Sequence, residues 1–287
     1  MCRLFGFSSV IPSQVHRSLV NADNALAFQS ERHPDGWGVA YYVDDAPHVT
    51  RSAATAIEDQ LFARVSGVVS SQTVLAHILK ATVGATNVLN CHPFQYGRWV
   101  FAHNGDIPDF QRCREAVESE IAPRLRRFIL GDTDSERVFF LFLTQLSQYG
   151  PLGSRLGVEE VCAALEETVR LTRRLVDTDD APAPALLTLM ATNGVTMAAI
   201  QGGKELFWST HKTRCPDRGD CPHFADSCEA PTRNGFVNHL VVASEPIIPD
   251  NVWEPLAPGE IVGVDWRMRL ERRQTETTSA EVGAPSS

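Results

Sequence analysis

The sequence predicts an α+β fold, with strands on both sides of a helical middle. Three helical patterns lie between residues 110 and 176, strand-like apolar runs precede and follow them, and no regular strand-helix-strand alternation is present. With 287 residues, 43% hydrophobic and 21% charged, the chain is long enough and apolar enough to bury a substantial core. We therefore expect a globular α+β protein.

The first part of the chain predicts strands, one helix and a turn. A short apolar run suits a strand that Pro12 ends, and the apolar residues Val15, Leu19, Ala22 and Leu26 recur at helical spacing after it. The turn sequence HPDG occupies residues 33–36. The predicted strands are Arg3–Val10, Trp37–Val43, Thr73–Leu79 and Trp99–His103, and the predicted helix is Gln14–Phe28.

The second part predicts three helices followed by strands. The helices are Phe110–Ile121, Ser135–Gln148 and Val158–Val176; the strands are Ala185–Thr192, Thr196–Gly202, Glu205–Ser209, Phe236–Ala243 and Glu260–Asp265. Gly202-Gly203 is typical of a hairpin turn between two of these strands. We expect one domain over residues 2–270 and a disordered tail over 271–287, which has few apolar residues.

Charge and composition exclude some partners. The net charge is −9 and the sequence pI is near 5.5, whereas a nucleic-acid binder is usually basic with clustered Lys and Arg. No apolar run approaches the roughly 20 residues of a membrane helix, and no basic-then-apolar export pattern opens the chain. The sequence therefore predicts a cytoplasmic protein that binds neither nucleic acid nor membrane.

Cys2 is a candidate nucleophile. Methionine aminopeptidases act before small side chains, so removal of Met1 would leave a thiol and a free α-amine on one residue. Both groups titrate near neutral pH, and the amine can take the thiol proton and later return it. Considered alone, Cys2 also fits an ordinary small residue at a frayed terminus.

Asn104-Gly105 is a candidate oxyanion hole. An amide-cleaving cysteine needs two donors for the developing oxyanion, and an Asn side chain beside a Gly backbone N–H can supply them. The pair follows a predicted strand in the run FAHNGDI at residues 101–107. By itself, Asn-Gly most often marks a turn.

Together these segments resemble one family, the class II glutamine amidotransferases. The resemblance spans roughly residues 2–270 in family order, through CRLFG at 2–6, RHPDGWG at 32–38, AHILKAT at 76–82, NCHPF at 90–94, HNG at 103–105 and TDSE at 133–136. The late runs VASEP at 242–246 and PGEI at 258–261 are most similar to compact, stand-alone bacterial members. One related member of that subgroup hydrolyses a γ-glutamyl amide in ergothioneine synthesis.

The resemblance implies a four-layer αββα fold of the Ntn-hydrolase type, with two antiparallel sheets between helices. It also implies that Cys2 is the nucleophile and its α-amine the base, that Asn104 and the Gly105 N–H form the oxyanion hole, and that Asp134 binds the substrate α-ammonium group. Further implied substrate-binding residues are Arg32, Thr82 and His103. We expect His77 and His103 to be hydrogen-bonded structural residues rather than bases. The TDSE run also suits a helix N-terminus with a capping acid, and both roles can coexist.

Leu79 departs from the family pattern. Most relatives carry an arginine here that pairs with the α-carboxylate of glutamine, and a leucine offers no donor. Lys80 is next in sequence, but on a strand its side chain points to the opposite face. Arg32 is a candidate substitute. This departure predicts either a γ-glutamyl substrate with a differently held carboxylate or weakened activity.

A second cluster of cysteines and histidines lies in a polar insertion, Lys212–Gly235. It contains Cys215, Cys221, His223 and Cys228, and His211 precedes it. Thiols and imidazoles bind zinc, but these cysteines are spaced more widely than the usual Cys-x2–4-Cys pairs. We expect this insertion to form a surface hairpin with reduced thiols, and a structural metal site is the alternative.

The sequence predicts a cofactor-free amidohydrolase that acts on a small γ-glutamyl amide through Cys2. Because the chain has no recognisable synthase segment, use of released ammonia would require a separate synthase protein. The alternatives are a binding or regulatory protein with weakened catalysis on the same fold, and a zinc-stabilised interaction module centred on the late cysteines.

Overall fold

The computed structural model of the chain describes residues 2–81, 86–216, 218–219 and 221–275. Its strands are β1 Arg3–Gln14, β2 Gly36–Val43, β3 Ala46–Ser52, β4 Ser70–Leu79, β5 Phe94–Tyr96, β6 Trp99–Asp106, β7 Leu186–Thr192, β8 Met197–Ile200, β9 Phe207–Ser209, β10 His239–Ala243, β11 Glu254–Pro255, β12 Glu260–Val264 and β13 Leu270–Gln274. Its α-helices are α1 Leu26–Gln29, α2 Gln60–Val68, α3 Phe110–Glu120, α4 Pro123–Arg126, α5 Asp134–Leu146 and α6 Val158–Val176.

Two antiparallel sheets face each other. Within the described ranges, the first sheet has the order β11-β9-β10-β1-β4-β2-β3 and the second β13-β12-β8-β7-β6-β5. The layer between them is built from inward-facing side chains such as Leu4 and Leu75 of the first sheet and Val100 and Val262 of the second. Strand β1 is central in its sheet, because it pairs with β10 on one side and β4 on the other.

Helices cover both outer faces. Phe5, whose side chain points away from the inter-sheet layer, packs with Leu26 and Phe62 of helices α1 and α2. On the second sheet, Phe101 and Leu189 pack against the layer formed by α3, α5 and α6. The predicted α+β class and four-layer αββα arrangement are confirmed.

The predicted helix Gln14–Phe28 is wrong. Strand β1 passes Pro12 and ends at Gln14, pairing with Ser70 after a register shift between Ser8 and Ser13. Such an irregularity tolerates proline, because a ladder bond is not required there. The rest of the segment forms a single π-helical turn, Arg17–Asn21, and the short helix α1. The apolar residues Val15, Leu19, Ala22 and Leu26 are all buried, but they do not lie on one continuous helix.

The predicted hairpin at Gly202-Gly203 is also wrong. Strand β8 belongs to the second sheet, where Ala199 pairs with Val262, whereas β9 belongs to the first, where Trp208 pairs with Val242. The glycine pair therefore lies in a crossover between sheets. A Cβ on Gly202 would lie 2.0 Å from the Leu187 carbonyl oxygen, so the close passage over β7 requires glycine there.

The predicted domain end also differs from the structure. Residues 271–274 belong to β13, which pairs with β12 from Leu270↔Val264 to Gln274↔Glu260. An ion pair between Arg272 and Glu260, with 2.6 Å between Nη2 and Oε1, accompanies that pairing. The polar composition suggested a tail because β13 is a half-exposed edge strand. The remainder of the predicted tail, residues 276–287, lies outside the described residues.

Candidate active site

Cys2 lies immediately before β1, with its side chain 6% exposed. Its Sγ lies 3.4 Å from the Lys80 backbone nitrogen, which donates a hydrogen bond to it, and 3.5 Å from the Lys80 carbonyl oxygen, which accepts a hydrogen bond from the thiol. Lys80 directly follows β4, the strand that pairs with β1 from Arg3↔Ile78 onward. Pairing between these two strands therefore fixes the position of the thiol.

Burial raises the pKa of the Cys2 thiol from 9.0 to about 11, and the Lys80 N–H and nearby positive charge offset only part of this effect. The charge of Asp134 raises the pKa further. The thiol is therefore protonated at neutral pH. Reaction as a thiolate requires a base that takes its proton inside the site.

Asn104, on β6 of the second sheet, is linked to the start of β1 through Ser244. The Asn104 side-chain amide donates to Ser244 Oγ, with 3.3 Å between the two atoms. The same Oγ accepts from the Leu4 backbone nitrogen at 2.9 Å. Ser244 follows strand β10, and its own backbone nitrogen donates to the Leu4 carbonyl at 3.0 Å. One hydroxyl thus connects the strand carrying Cys2 to the amide of Asn104.

Asn104 keeps free hydrogen-bonding capacity. Its amide nitrogen has two protons, and the bond to Ser244 uses one of them. Its Oδ1 is buried without a partner among the described residues. The side chain can therefore donate a further hydrogen bond to a substrate oxygen.

Gly105 occupies a position that no larger residue fits. A Cβ built there would lie 1.7 Å from the Leu186 carbonyl oxygen and 2.8 Å from His103 Nε2. His103 itself is engaged on both sides, with Nε2 at 2.8 Å from Leu186 O and Nδ1 at 2.9 Å from Ser135 Oγ. Because a carbonyl oxygen only accepts, Nε2 carries the proton.

Asp134 is the first residue of α5 and is buried. Its Oδ2 accepts from the Ile107 backbone nitrogen at 2.7 Å, and its Oδ1 accepts from the Ser135 backbone nitrogen at 2.7 Å. The helix cap is Thr133, whose Oγ1 accepts from the Glu136 nitrogen at 3.3 Å. The Ser135 hydroxyl also lies 3.2 Å from Oδ1, whereas Oδ2 has a single donor and retains acceptor capacity, so the carboxylate can also bind a cation facing it.

A cavity of about 20 Å³ joins several of these groups. Its walls include the predicted site residues Cys2, His103, Gly105 and Asp134. The volume is that of about one water molecule, so a substrate needs adjacent residues to move. Asn104 does not border this cavity, and Ser244 connects it to the start of β1. Arg32 is exposed at the end of a short 3-10 helix and does not border this cavity, and Thr82 lies outside the described residues.

Two further histidines are buried beside the site. The rings of His77 and His92 lie 4.2 Å apart between centroids, and His92 borders the cavity. Burial lowers the pKa of His77 to about 3 and holds the pKa of His92 well below its usual 6.5. Both imidazoles are therefore neutral at physiological pH and add no positive charge behind Cys2.

Leu79 packs directly against Cys2. It is 7% exposed and forms a small apolar cluster with Cys2 and Cys91. It borders the cavity but offers no group that could bind a carboxylate. Arg3, the residue after Cys2, is already engaged in an ion pair with Glu245. The Leu79 side chain thus offers apolar contact only, whereas its neighbour Lys80 is a cationic residue that also borders the cavity.

The sequence reasoning missed the roles of Ser244 and of the Lys80 backbone. Ser244 lies in the run VASEP, which resembles the family. Nothing local in that run indicates that Ser244 contacts Leu4 and Asn104, which are 240 and 140 residues away. Lys80 was considered only for its side chain, whereas its peptide groups hold the thiol.

Residues 1–175 match the family described as glutamine amidotransferases class-II. The chain belongs to this family. Among the class-II glutamine amidotransferases it is 32% identical over 167 residues to DUG3 of Saccharomyces cerevisiae, named a probable glutamine amidotransferase, covering 52% of this chain and 47% of that protein. The chain spans about half the length of the first curated relatives that it matches.

Two other curated relatives extend the comparison. YafJ of Escherichia coli, also named as a glutamine amidotransferase, is 24% identical over 284 residues, covering 93% of this chain and 97% of YafJ. A protein of Mycobacterium tuberculosis named gamma-glutamyl-hercynylcysteine sulfoxide hydrolase is 40% identical over 74 residues, covering 25% of this chain and 32% of the hydrolase.

Solved structures share the fold. A glutamine aminotransferase class-II domain protein from Silicibacter pomeroyi superposes with a TM-score of 0.63 at 22% identity, covering 95% of this chain and 98% of that one. Glutamine phosphoribosylpyrophosphate amidotransferase from Bacillus subtilis gives a TM-score of 0.61 at 12% identity, covering 96% of this chain and 50% of that one. In the part of the chain that the structure describes, no helix is long and apolar enough to cross a membrane.

Proposed function

We propose that this amidotransferase hydrolyses the side-chain amide of a γ-glutamyl compound through Cys2. The observation that carries the proposal is the shared cavity of Cys2, Gly105 and Asp134, with Asn104 connected to it through Ser244. These groups supply a nucleophile, oxyanion donors and a carboxylate within one site. Their combination suits a substrate with an amide carbonyl at one end and an ammonium group at the other.

The proposed reaction begins after removal of Met1. The free α-amine of Cys2 takes the thiol proton, and Sγ attacks the γ-carbonyl carbon. The resulting oxyanion accepts hydrogen bonds from the Asn104 amide and the Gly105 N–H. The protonated amine then gives its proton to the leaving nitrogen, which departs as ammonia or a larger amine, and a γ-glutamyl thioester remains. Water, deprotonated by the same amine, attacks the thioester, releasing the γ-carboxylate and restoring the thiol.

The raised pKa of Cys2 supports a role for the α-amine. A thiol with a pKa of about 11 is almost entirely protonated at neutral pH. His77 and His92 are buried nearby, and burial disfavours their protonated forms. Neither imidazole is therefore a good acceptor for the thiol proton. A free α-amine on Cys2 belongs to the same residue as the thiol, so no other side chain has to be positioned to take the proton.

Asp134 is proposed to bind the substrate α-ammonium group. Its carboxylate is fixed by two backbone N–H donors and faces the cavity that contains Cys2. A buried carboxylate with this fixed geometry gains from a cationic partner. The same residue also supports the start of α5, so its two roles are compatible.

The substrate is proposed to be a γ-glutamyl amide whose α-carboxylate is held differently from that of free glutamine. Leu79 supplies no cation at the position of the family arginine, and Arg32 does not border the cavity, so Lys80 is the cationic residue left at the cavity wall. The relative named gamma-glutamyl-hercynylcysteine sulfoxide hydrolase provides a precedent for a γ-glutamyl substrate other than glutamine. We place the reaction in the cytoplasm, and any further use of ammonia in a separate synthase.

A binding or regulatory protein on the same fold is the second candidate. The closed cavity and the uncharged Leu79 favour it, since both weaken the binding of free glutamine. On this alternative, the site would retain a γ-glutamyl ligand without turnover.

The test combines mass and activity. Full-length protein from its native host is weighed for loss of Met1, and glutamate release is measured from glutamine and from γ-glutamyl amides of several amines. We expect loss of Met1, release from at least one amide, and no release by Cys2→Ala. The matched control is Cys113→Ala, which removes a buried thiol of α3 that does not border the cavity. Retained Met1, or equal activity in Cys2→Ala, would overturn the mechanism, while tight binding of an amide without release would favour the second candidate.

A further inference from the structure

A second cavity, about 600 Å³ in volume, lies over the outer face of the first sheet. The described residues that line it include none of those around the small cavity at Cys2. Small-molecule sites usually have volumes of about 300–1,000 Å³, with mostly apolar walls and a few polar groups. The size of this cavity therefore suits a small organic ligand.

One wall of the cavity is apolar. Phe5 and Phe7 of β1 and Val241 of β10 alternate with residues that face the inter-sheet layer, so their side chains lie on the outer face of the sheet. Ile247 and Trp253, from the segment after β10, line the same cavity and pack with this group. A branched alkyl or aromatic group of a ligand can be buried against this surface.

Three polar side chains of the wall lie near one another. Lys212 and Asn251 are directly opposite in an isolated antiparallel bridge, so their side chains leave the backbone on the same side. The pKa of His239 is lowered to about 4, mainly by burial and further by the positive charge of Lys212. The imidazole is therefore neutral at physiological pH and lies within electrostatic range of the ammonium group.

Two of these polar groups are buried without a hydrogen bond. Asn251 is 6% exposed, and its Oδ1 has no hydrogen-bond partner among the described residues. The same is true of Nε2 of His239. A buried polar atom without a partner costs about 1–3 kcal/mol, so such atoms are usually satisfied by water or by a ligand. Because both residues line the cavity, a ligand there can supply the missing partners.

The charge of the wall favours a ligand with a negative group. Lys212 contributes a cation, and no aspartate or glutamate is among the described residues that line the cavity. The chain as a whole has a net charge of −9, so a wall of this kind is not a consequence of composition. A carboxylate is the common organic group that pairs with a lysine and also accepts from an imidazole N–H.

Three cysteines of the insertion, Cys215, Cys221 and Cys228, also line this cavity. Within the described ranges, however, no three histidine, cysteine or acidic side chains are grouped so as to hold a metal ion. The described residues thus provide no grouped ligand set for zinc. The groups that can recognise a ligand here are those of the sheet, of Lys212 and of the segment 247–253.

We propose that this cavity binds an α-amino acid with a large apolar side chain. Its carboxylate accepts from the Lys212 ammonium group and from Nε2 of His239, and its ammonium group donates to Asn251 Oδ1. Its side chain packs against Phe5 and Val241. Each unpaired polar atom of the wall thereby gains a partner. Because the described walls of the two cavities have no residue in common, the amino acid and the γ-glutamyl substrate do not exclude each other.

The first test is calorimetric titration of the full-length protein with L-phenylalanine and L-leucine. Two comparison compounds are 3-phenylpropionate, which lacks the ammonium group, and phenethylamine, which lacks the carboxylate. We expect one site per chain for at least one amino acid, and binding at least about tenfold weaker for both comparison compounds. No binding of either amino acid at about 10 mM, or equal binding of 3-phenylpropionate, would overturn the proposal.

Variants place the bound amino acid in this cavity. Lys212→Met and Asn251→Leu, which keep the size of the side chain, should each weaken binding at least about tenfold. Arg64→Met, an exposed residue of α2 outside the cavity wall, is the matched control and should bind normally. Asp134→Asn should also bind normally. Loss of binding in Asp134→Asn but not in Lys212→Met would place the amino acid at the Cys2 site and contradict the proposal.

A fluorescence measurement does not depend on the polar variants. Trp253 lines the cavity, so binding of L-leucine, which has no fluorescence of its own in this range, should change the indole emission of the wild type. Trp253→Phe should lose this change and still bind L-leucine in the calorimeter. An unchanged emission in the wild type, or an equal change in Trp253→Phe, would show that the amino acid does not occupy this cavity.

Discussion

Ser244 accepts a hydrogen bond from the Asn104 side chain, with 3.3 Å between Oγ and Nδ2. The two residues belong to different sheets, since Ser244 follows β10 and Asn104 lies on β6. The same hydroxyl accepts from the Leu4 backbone nitrogen, two residues after Cys2. One serine that does not border the cavity therefore links the Asn104 side chain to the strand that follows Cys2.

Ser244→Ala should lower turnover without abolishing it. Loss of one neutral hydrogen bond costs about 1 kcal/mol, so we expect kcat to fall roughly fivefold as Asn104 loses its orientation. KM should change little, because the ammonium end of the substrate is bound elsewhere. Ser209→Ala, which removes a buried hydroxyl bonded to the His211 carbonyl, is the control. A larger effect on KM than on kcat would contradict the positioning role.

Leu79→Arg should improve the use of free glutamine. A guanidinium at this wall of the cavity can pair with a carboxylate, and such a charge-assisted pair is worth enough to lower KM by about tenfold. Leu79→Met, similar in volume but uncharged, is the control and should leave KM unchanged. Steady-state kinetics with glutamine and with a γ-glutamyl amide test the prediction. An equal change in both variants would show that packing at Leu79, and not charge, sets substrate preference.

Gly105→Ala should destabilise the protein strongly. The added Cβ would lie 1.7 Å from the Leu186 carbonyl oxygen, so strands β6 and β7 would have to separate. We expect the free energy of unfolding to fall by about 3 kcal/mol or more. The control is Gly67→Ala in α2, where nothing lies within 4 Å of the new Cβ and the helix should gain or keep stability. Urea unfolding measures the free energy of unfolding of both variants. Equal values for Gly105→Ala and Gly67→Ala would contradict the close contact at Gly105.

The stability of the protein should fall in mild acid. The pKa of buried His77 is lowered to about 3, whereas in the unfolded chain it returns to about 6.5. The unfolded state therefore binds a proton that the folded state refuses. The stabilisation is complete above pH 6.5 and is lost as the pH falls toward 3, by up to about 1.4 kcal/mol per pH unit for this residue. His33, with a pKa lowered to about 4 mainly by burial, should add to the effect.

Urea unfolding at several pH values between 7.5 and 5 measures this slope. His77→Gln removes the titrating group and should flatten the dependence by about one proton. An identical slope in wild type and variant would mean that His77 is not buried in its neutral form.

Local signals predicted much of the fold. Helix α6 has the predicted bounds, Val158–Val176, because its apolar positions keep helical spacing and acidic and basic residues stand at the appropriate ends. Strand β2 was also found, yet β3 was missed. The turn between them uses Asp44 and Asp45 at positive φ, without the glycine that usually marks such a hairpin.

Long-range pairing could not be predicted in the same way. A Gly-Gly pair indicates a turn, but it cannot specify whether the next strand joins the same sheet or the opposite one. The cavity residues Cys2, Gly105 and Asp134 could be predicted because each lies in a short sequence block that resembles the family. Ser244 could not, because its hydrogen bonds join it to residues far away in sequence. The late cysteines gave no clear spacing, and their common cavity depends on the outer face of β10.

Strand β1 cannot complete its pairing until residues 239–243 have been made, because Phe5 lies opposite Ala243. At about 5–20 residues per second, synthesis of that length takes roughly 12 to 50 seconds. On the proposed mechanism, an aminopeptidase therefore has this interval to reach an open N-terminus on the nascent chain. On the same mechanism, removal of Met1 must precede the pairing of β10 with β1, which places Cys2 at the start of a central strand with 6% of its side chain exposed.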